Sequence, residues 1–187
     1  LDRLMHEMID QLDHAFRQYD DKCMIVPTRD GFSYDDIYPG LLEWMPVMTR
    51  GENATIKIVG YHPCNPSTQQ LPTIVSTVSV YDVANGHLIG LMDGVLLTAL
   101  RTGAASALAS RYLAKADSKR VGLIGAGAQA VTQLHGLAQE FDIERVQVYD
   151  IDPTVSATFA DRVAFMDIPV EVIGQHQREQ MVSEVDI

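Results

Sequence analysis

Val121-Gly-Leu-Ile-Gly-Ala-Gly-Ala-Gln-Ala130 is the stretch that decides the fold. Its first four residues form a short apolar run, read as a strand. Gly125-Ala-Gly-Ala-Gln-Ala130 follows, then Val131, Leu134, Leu137 and Phe141 at helical spacing. A second strand-like run over residues 145–149 closes on Asp150. Strand, glycine-rich turn, helix, strand and acid is the order of a dinucleotide-binding βαβ unit. Gly125 permits the tight turn. Gly127 lacks a Cβ and lets a pyrophosphate approach the backbone. Ala130 is small enough for the helix to pack on the strand. The pyrophosphate then lies at the positive end of the helix dipole. Asp150 stands about 20 residues past Ala130, where a carboxylate meets the two ribose hydroxyls. That carboxylate repels a 2′-phosphate, so NAD(H) is favoured and NADP(H) disfavoured. The expected cofactor residues here are Gly125, Ala126, Gly127, Ala128, Gln129, Ala130 and Asp150.

Beyond Asp150, Asp152-Pro153 starts a helix with Val155, Phe159 and Val163 on one face. Residues 169–173 read as a third strand and 184–187 as the first residues of a fourth. The expected architecture is α/β: an incomplete Rossmann-type parallel sheet over residues 116–187, preceded by an α+β domain over 1–115 with an antiparallel sheet. The second half of the nucleotide fold is absent, so residues 1–187 alone are expected to bind NAD weakly, to turn over nothing and to aggregate through exposed sheet edges. The first residue is Leu1, inside a helical pattern, and an incomplete N-terminus is expected.

Composition narrows the partners. The chain has 187 residues, 47% of them apolar, which supports a substantial core. A formal charge of −11 without a Lys/Arg run argues against nucleic acid and anionic membrane surfaces. No stretch approaches a membrane span, and no signal peptide is read. Cys23 and Cys64 have neither a CxxC partner nor metal-ligand spacing, and fit reduced cytoplasmic thiols.

Toward the N-terminus, Leu1, Leu4, Met5, Met8, Ile9, Leu12, Ala15, Phe16 and Tyr19 recur at helical spacing, with His6 and His14 on the surface. Met24-Ile-Val26 reads as a short strand, Pro27-Thr-Arg-Asp-Gly31 as a turn or loop start, and residues 41–45 as a strand ending at Pro46. Arg50-Gly-Glu-Asn53 reads as a hairpin turn. In the alternating run after it, Ile56 and Ile58 face one way and Lys57 and Val59 the other. Pattern alone reads Lys57 as a solvent-facing alternate. His62-Pro-Cys-Asn-Pro66 is a loop, since its prolines remove donors. No third ligand accompanies the histidine and cysteine, so no metal is expected. Residues 73–83 form a long β-branched strand, Asn85-Gly86 signals a two-residue hairpin, and residues 87–92 pair back. Asp93 caps an Ala/Leu-rich helix over 96–114. Arg101 lies early in that helix, where the dipole gives a cation no benefit, so an anionic partner is implied. That partner is either an internal carboxylate or a ligand.

Leu97-Thr-Ala-Leu-Arg-Thr-Gly-Ala-Ala-Ser106, followed closely by Ile124-Gly-Ala-Gly-Ala-Gln-Ala130, resembles the ornithine cyclodeaminase/mu-crystallin family. Leu42-Glu-Trp-Met-Pro46, Lys57 with His62-Pro-Cys-Asn65, Leu71-Pro-Thr73 and Val148-Tyr-Asp-Ile-Asp-Pro153 support the likeness. The resemblance implies an NAD(P)-dependent enzyme acting on a small amino or imino acid, with the antiparallel domain forming a homodimer. It implies that Lys57, Arg101 and, as a third, Arg29 hold the substrate carboxylate. Glu43 matches the family's active-site glutamate near the substrate amine, and Thr73 a contact near cofactor or substrate. A bidentate Arg with a Lys suits a carboxylate clamp. The family's cyclodeaminases also use an aspartate further along, and Asp186 comes too early to fill that place.

Three activities compete on this basis. The first is a lyase that converts L-ornithine to L-proline and ammonia, with NAD regenerated at each turnover. The second is an oxidoreductase, either a cyclic imine or ketimine reductase or an amino acid dehydrogenase, using the same site. The third is a mu-crystallin-like binding protein without turnover, against which Glu43, Lys57 and Arg101 argue.

Overall fold

The computed structural model describes residues 2–34 and 37–187. Helix α1 (Asp2–Arg17) is followed by strands β1 (Met24–Ile25), β2 (Asp30–Tyr34), β3 (Gly40–Thr49) and β4 (Asn53–Tyr61). Then come α2 (Asn65–Thr68), β5 (Ile74–Asp82), β6 (Leu88–Asp93) and α3 (Val95–Leu113). The remainder alternates: β7 (Arg120–Ile124), α4 (Ala128–Glu140), β8 (Arg145–Tyr149), α5 (Pro153–Ala157), α6 (Phe159–Val163), β9 (Val170–Val172) and α7 (Arg178–Glu184). The fold is mixed α/β, with one antiparallel and one parallel sheet. Two compact units form, Gln18–Thr98 and the residues up to Arg17 with Ala99–Ile187. The first helix therefore belongs with the nucleotide-type sheet, and the division falls inside α3, whereas the sequence suggested a division by role at residues 115 and 116.

The unit Gln18–Thr98 is an antiparallel sheet in the order β1-β3-β4-β5-β6, with β2 also on β3. Four sequence expectations need correction here. The turn or loop start read over residues 27–31 holds only to Arg29, since β2 starts at Asp30 and pairs Gly31 with Glu43. Gly31 fits because a Cβ there would lie 2.3 Å from the Leu42 carbonyl oxygen. The strand expected to stop at Pro46 runs on to Thr49. On that flank β2 pairs with residues 40–44 and β1 with Met48 and Thr49, so Pro46 faces a gap between them. A residue without an N–H is tolerated where one ladder is interrupted. Finally, the two-residue Asn-Gly hairpin is a longer loop. Asp82 accepts the Ala84 N–H at 2.7 Å and the Asn85 side-chain amide at 3.1 Å, and Gly86 takes φ +74°. The loop read over residues 62–66 contains the start of α2, with Pro66 in its first turn.

In the other unit the parallel sheet has the order β7-β8-β9. Residues 185–187 run along the free side of β7: the Asp186 N–H reaches the Arg120 carbonyl at 2.8 Å, and the Gly122 N–H reaches Ile187 O at 2.8 Å. That places the chain in the 3-2-1-4 order of a Rossmann half. Val121, Leu134, Val146, Val148, Phe159 and Val163 form its core, as expected of parallel strands covered by helices. Asp152 caps α5 by accepting the Thr154 N–H at 2.8 Å. The single helix expected beyond it is split at Thr158 into α5 and α6. Met5 and Ile9 of α1 pack on Leu100, Ala104, Ala107 and Leu108 of α3. Arg111 adds a forked pair of bonds to Glu140, at 2.6 and 2.7 Å, and one to Asp10 at 3.2 Å.

Helices α3 and α4 cross with almost no side chain between them. A Cβ on Gly103 would fall 2.1 Å from the Thr132 carbonyl oxygen, and one on Gly136 would fall 2.6 Å from the Gly103 carbonyl oxygen. Both obstacles are backbone, so the helices must separate to admit a methyl. Gly103→Ala is expected to lower unfolding stability by about 1–3 kcal/mol, the usual cost of overpacking. A chemical denaturation midpoint equal to that of the unaltered protein would contradict this.

Candidate functional site

The glycine turn follows β7 directly. Gly125 takes φ +102°, a left-handed conformation that disfavours other residues. Nothing lies within 4 Å of where a Cβ on Gly127 would stand. Gly127 is also the N-cap of α4, and no side chain caps that helix. The open approach and the uncapped amides together suit an anionic phosphate.

The turn is pinned through one peptide group. Ala126 donates its N–H to Asp150 at 2.7 Å, and its carbonyl accepts from Arg162. Arg162 also donates to Val155 O at 3.1 Å and lies over the Phe159 ring. Asp150 therefore does more than wait for a ribose. One of its oxygens holds Ala126, and the other accepts the Asp152 N–H at 2.9 Å. A carboxylate oxygen has room for a second donor, so ribose hydroxyls still fit. The bond from Ala126, then that from Asp152, hold the Asp150 carboxyl below its ordinary range. The other expected cofactor residues divide by role. Ala126 is buried, and Ala130 packs in the core. The Gln129 side chain is spent on the Ala99 carbonyl, at 3.0 Å, and on Thr132. Its main-chain N–H, with that of Ala128, lies in the first turn of α4, which no side chain caps. A cavity of ≈ 890 Å³ opens beside Ile124, at the carboxyl end of β7. This donor set and this space fit a dinucleotide.

The second group of candidates sits on the antiparallel sheet. Glu43 is opposite Val59, and Lys57 is opposite Met45 and Val78. Glu43 and Lys57 therefore project from one face as diagonal neighbours, with Cβ atoms roughly 7–8 Å apart. Val59, Val78 and Ser76 share that face and are buried, whereas Ile58 on the opposite face is 37% exposed. The reading of Lys57 as a solvent-facing alternate is thus reversed: its face is the more buried one. Both faces carry apolar residues, so alternation could not rank them. Arg29, in the loop before β2, brings Nη1 within 3.5 Å of Glu43 Oε2. Its side chain is 64% exposed and that of Glu43 29%. Both line a cavity of ≈ 230 Å³ with Gly31 and Leu41. The Arg29–Glu43 contact joins residues far apart in sequence, and only the β2–β3 register reveals it. Thr73 lies just before β5, outside this cluster, with its carbonyl accepting the His62 N–H at 2.8 Å.

Arg101 belongs to the other unit, on α3, and is exposed. Among the described residues it forms no ion pair, so of the two partners implied by its place in the helix, an internal carboxylate is not found. Cys23 and Cys64 are free and exposed. No helix among the described residues is long and apolar enough to cross a membrane.

The Asp150–Ala126 bond makes the turn sensitive to acid. A depressed carboxyl pKa contributes order that is complete above the ordinary aspartate value and is lost as pH falls through the folded value. The Ala126 amide resonance should therefore titrate with a midpoint below about 3.9, the unperturbed aspartate value. A midpoint at or above that value would show that Asp150 does not hold the turn.

Residues 1–187 match the model of the ornithine cyclodeaminase/mu-crystallin family along the whole chain. The chain is 46% identical over 146 residues to the L-lysine cyclodeaminase of Streptomyces rapamycinicus, covering 78% of this chain and 43% of that protein. It is similar to a solved lysine cyclodeaminase studied for its recognition of L-lysine, L-ornithine and L-2,4-diaminobutyric acid. There the TM-score is 0.89 at 45% identity, over 99% of this chain and 53% of the other. An archaeal alanine dehydrogenase, solved as a dimer with bound NAD, matches with a TM-score of 0.82 at 32% identity, over 93% of this chain and 53% of that one. The chain thus spans about half the length of the relatives it matches. From the glycine turn, the sheet-borne glutamate and lysine, and these likenesses, the chain belongs to the ornithine cyclodeaminase/mu-crystallin family.

Proposed function

We propose that the protein carrying this chain is an NAD-dependent amino acid cyclodeaminase, a lyase that turns L-ornithine or a homologous diamino acid into a cyclic imino acid and ammonia. The observation that carries this reading is Glu43 and Lys57 on one sheet face, with Arg29 of the loop before β2 within 3.5 Å of Glu43. Gly125, Gly127, Ala128, Gln129 and Asp150 would hold NAD, which would supply reversible hydride acceptance at the substrate Cα. Lys57, Arg101 and, as a third, Arg29 are each assigned to the substrate carboxylate, whose capture fixes Cα in one orientation. The roles of Arg101 and of Thr73, a contact near cofactor or substrate, rest on the resemblance of their motifs to the family's. Glu43 takes a proton from the substrate amine, which prepares Cα to lose hydride and then ammonia. Arg29, at 3.5 Å, holds the Glu43 carboxylate in place for that transfer. Two exposed free cysteines fit a reducing cytoplasm.

Supplied with NAD⁺, the full-length protein is expected to release ammonia from L-ornithine or L-lysine with no net change in absorbance at 340 nm. K57A and R101A should each raise the KM for the amino acid roughly tenfold to a hundredfold. E43Q should lower kcat by about a hundredfold or more. Ammonia release from no diamino acid would remove this reading. Net NADH oxidation with a cyclic imine or keto acid would favour the second one, a reductase or dehydrogenase, which the likeness to alanine dehydrogenase supports.

We also propose that the sheet unit forms a homodimer. Phe32, Trp44, Ile56, Ile58 and Leu91 share the face opposite Glu43, and Phe32, Ile58 and Leu91 are exposed. A second copy covers an open apolar sheet face without exposing it to other partners. Light scattering of the full-length protein should give the mass of two chains, and I58D should shift it toward one. A monomeric parent, or an unaltered mass for I58D, would count against the dimer.

A further inference from the structure

We propose that Arg178 grips the adenosine half of the dinucleotide, donating to its ribose–phosphate oxygens; this rests on the NAD reading of the Gly125 turn. Arg178 opens α7 just after the Gln175–Gln177 turn and lines the ≈ 890 Å³ cavity that starts at Ile124. Ile124 is the residue before Gly125, so the cavity lies against the phosphate-binding turn. The guanidinium is held in two ways. Its carbon lies 5.0 Å from the centroid of the Tyr149 ring, and Nε donates to the Gln175 carbonyl at 3.0 Å. A planar cation stacked on an aromatic face is fixed in orientation and keeps its terminal N–H groups for a ligand.

Among the described residues, those terminal groups have no acid to serve. Arg111, Arg120 and Arg145 of the same unit each carry a carboxylate, on Glu140, Asp186 and Glu171. Among the described residues no carboxylate pairs with Arg178. Its position also selects one end of the ligand. Tyr149 immediately precedes Asp150, the acid suited to the adenosine ribose. A cation over Tyr149 is therefore on the adenosine side, next to oxygens that Asp150, itself an acceptor, cannot bind. Arg178 and Asp150 divide the work: the carboxylate accepts from ribose hydroxyls, and the guanidinium donates to the neighbouring oxygens. Sequence patterns for this fold stop at the glycines and the acid, and a lone Arg in a helix start carries no signal by itself.

The test is direct binding to the full-length protein, by calorimetry for NAD⁺ and ADP-ribose and by saturation-transfer NMR for nicotinamide mononucleotide. R178A should weaken NAD⁺ and ADP-ribose alike by roughly tenfold or more, the scale of a charge-assisted hydrogen bond. Nicotinamide mononucleotide binding should not change. R178K keeps the charge but loses the planar fork, and should recover part of the loss. Equal affinities for R178A and the parent, while the parent binds NAD⁺, would overturn the role of Arg178 and leave the glycine turn standing. A parallel loss for nicotinamide mononucleotide would also overturn it, because the change would then not be confined to adenosine. A parent that binds neither NAD⁺ nor ADP-ribose would overturn both readings together.

Discussion

The peptide of Ala126 is fixed from both sides, its N–H on Asp150 and its carbonyl on Arg162. The nucleotide-type unit depends on this arrangement. A glycine turn is entropically loose, because glycine loses more freedom on ordering than any other residue. Here the looseness is confined by two charged side chains from segments that follow β8. Asp150 thereby joins the ends of β7 and β8, and Arg162 ties α6 to the same point. The approach to Gly127 stays open, and the first-turn amides of α4 stay uncapped. The chain's own bonds thus order the turn. Such preorganisation lowers the entropic cost of binding.

The antiparallel unit solves a different problem, holding opposite charges on one partly buried face. Glu43 and Lys57 come from adjacent long strands, so their spacing is set by sheet register and not by loop flexibility. Gly31 lets β2 lie close against Glu43, where any side chain would strike the Leu42 carbonyl. That contact brings Arg29 within reach of the glutamate. Rigid strands carry the lysine and the carboxylate, and a loop carries the more exposed arginine.

Much of this was legible in the sequence, in proportion to how local each signal was. The glycine turn, the acid after β8, the cap of α5 and the β-branched run of β5 depend on near neighbours, and the structure has them where the pattern places them. The failures came where a distant segment decides the outcome. Asp30-Gly31 has turn chemistry, yet it forms a strand because β3 offers an edge. Pro46 reads as a stop, yet β3 continues because no strand lies beside it on one flank. The Asn85-Gly86 signal was overruled by Asp82, whose carboxylate organises a wider loop. The second role of Asp150 was also invisible, because its bond to Ala126 exists only once two strands pair. The Arg29–Glu43 contact was hidden for the same reason.

On the proposed function, a single NAD bound by the full-length protein would accept hydride from Cα and return it within one turnover. L-Ornithine carrying deuterium at Cα tests this most directly, with the full-length protein and NAD⁺. If the hydride leaves and returns, the L-proline formed keeps its deuterium at Cα and no deuterated NADH accumulates. Proline formed with the label lost to water, or label collecting in free NADH, would contradict the account.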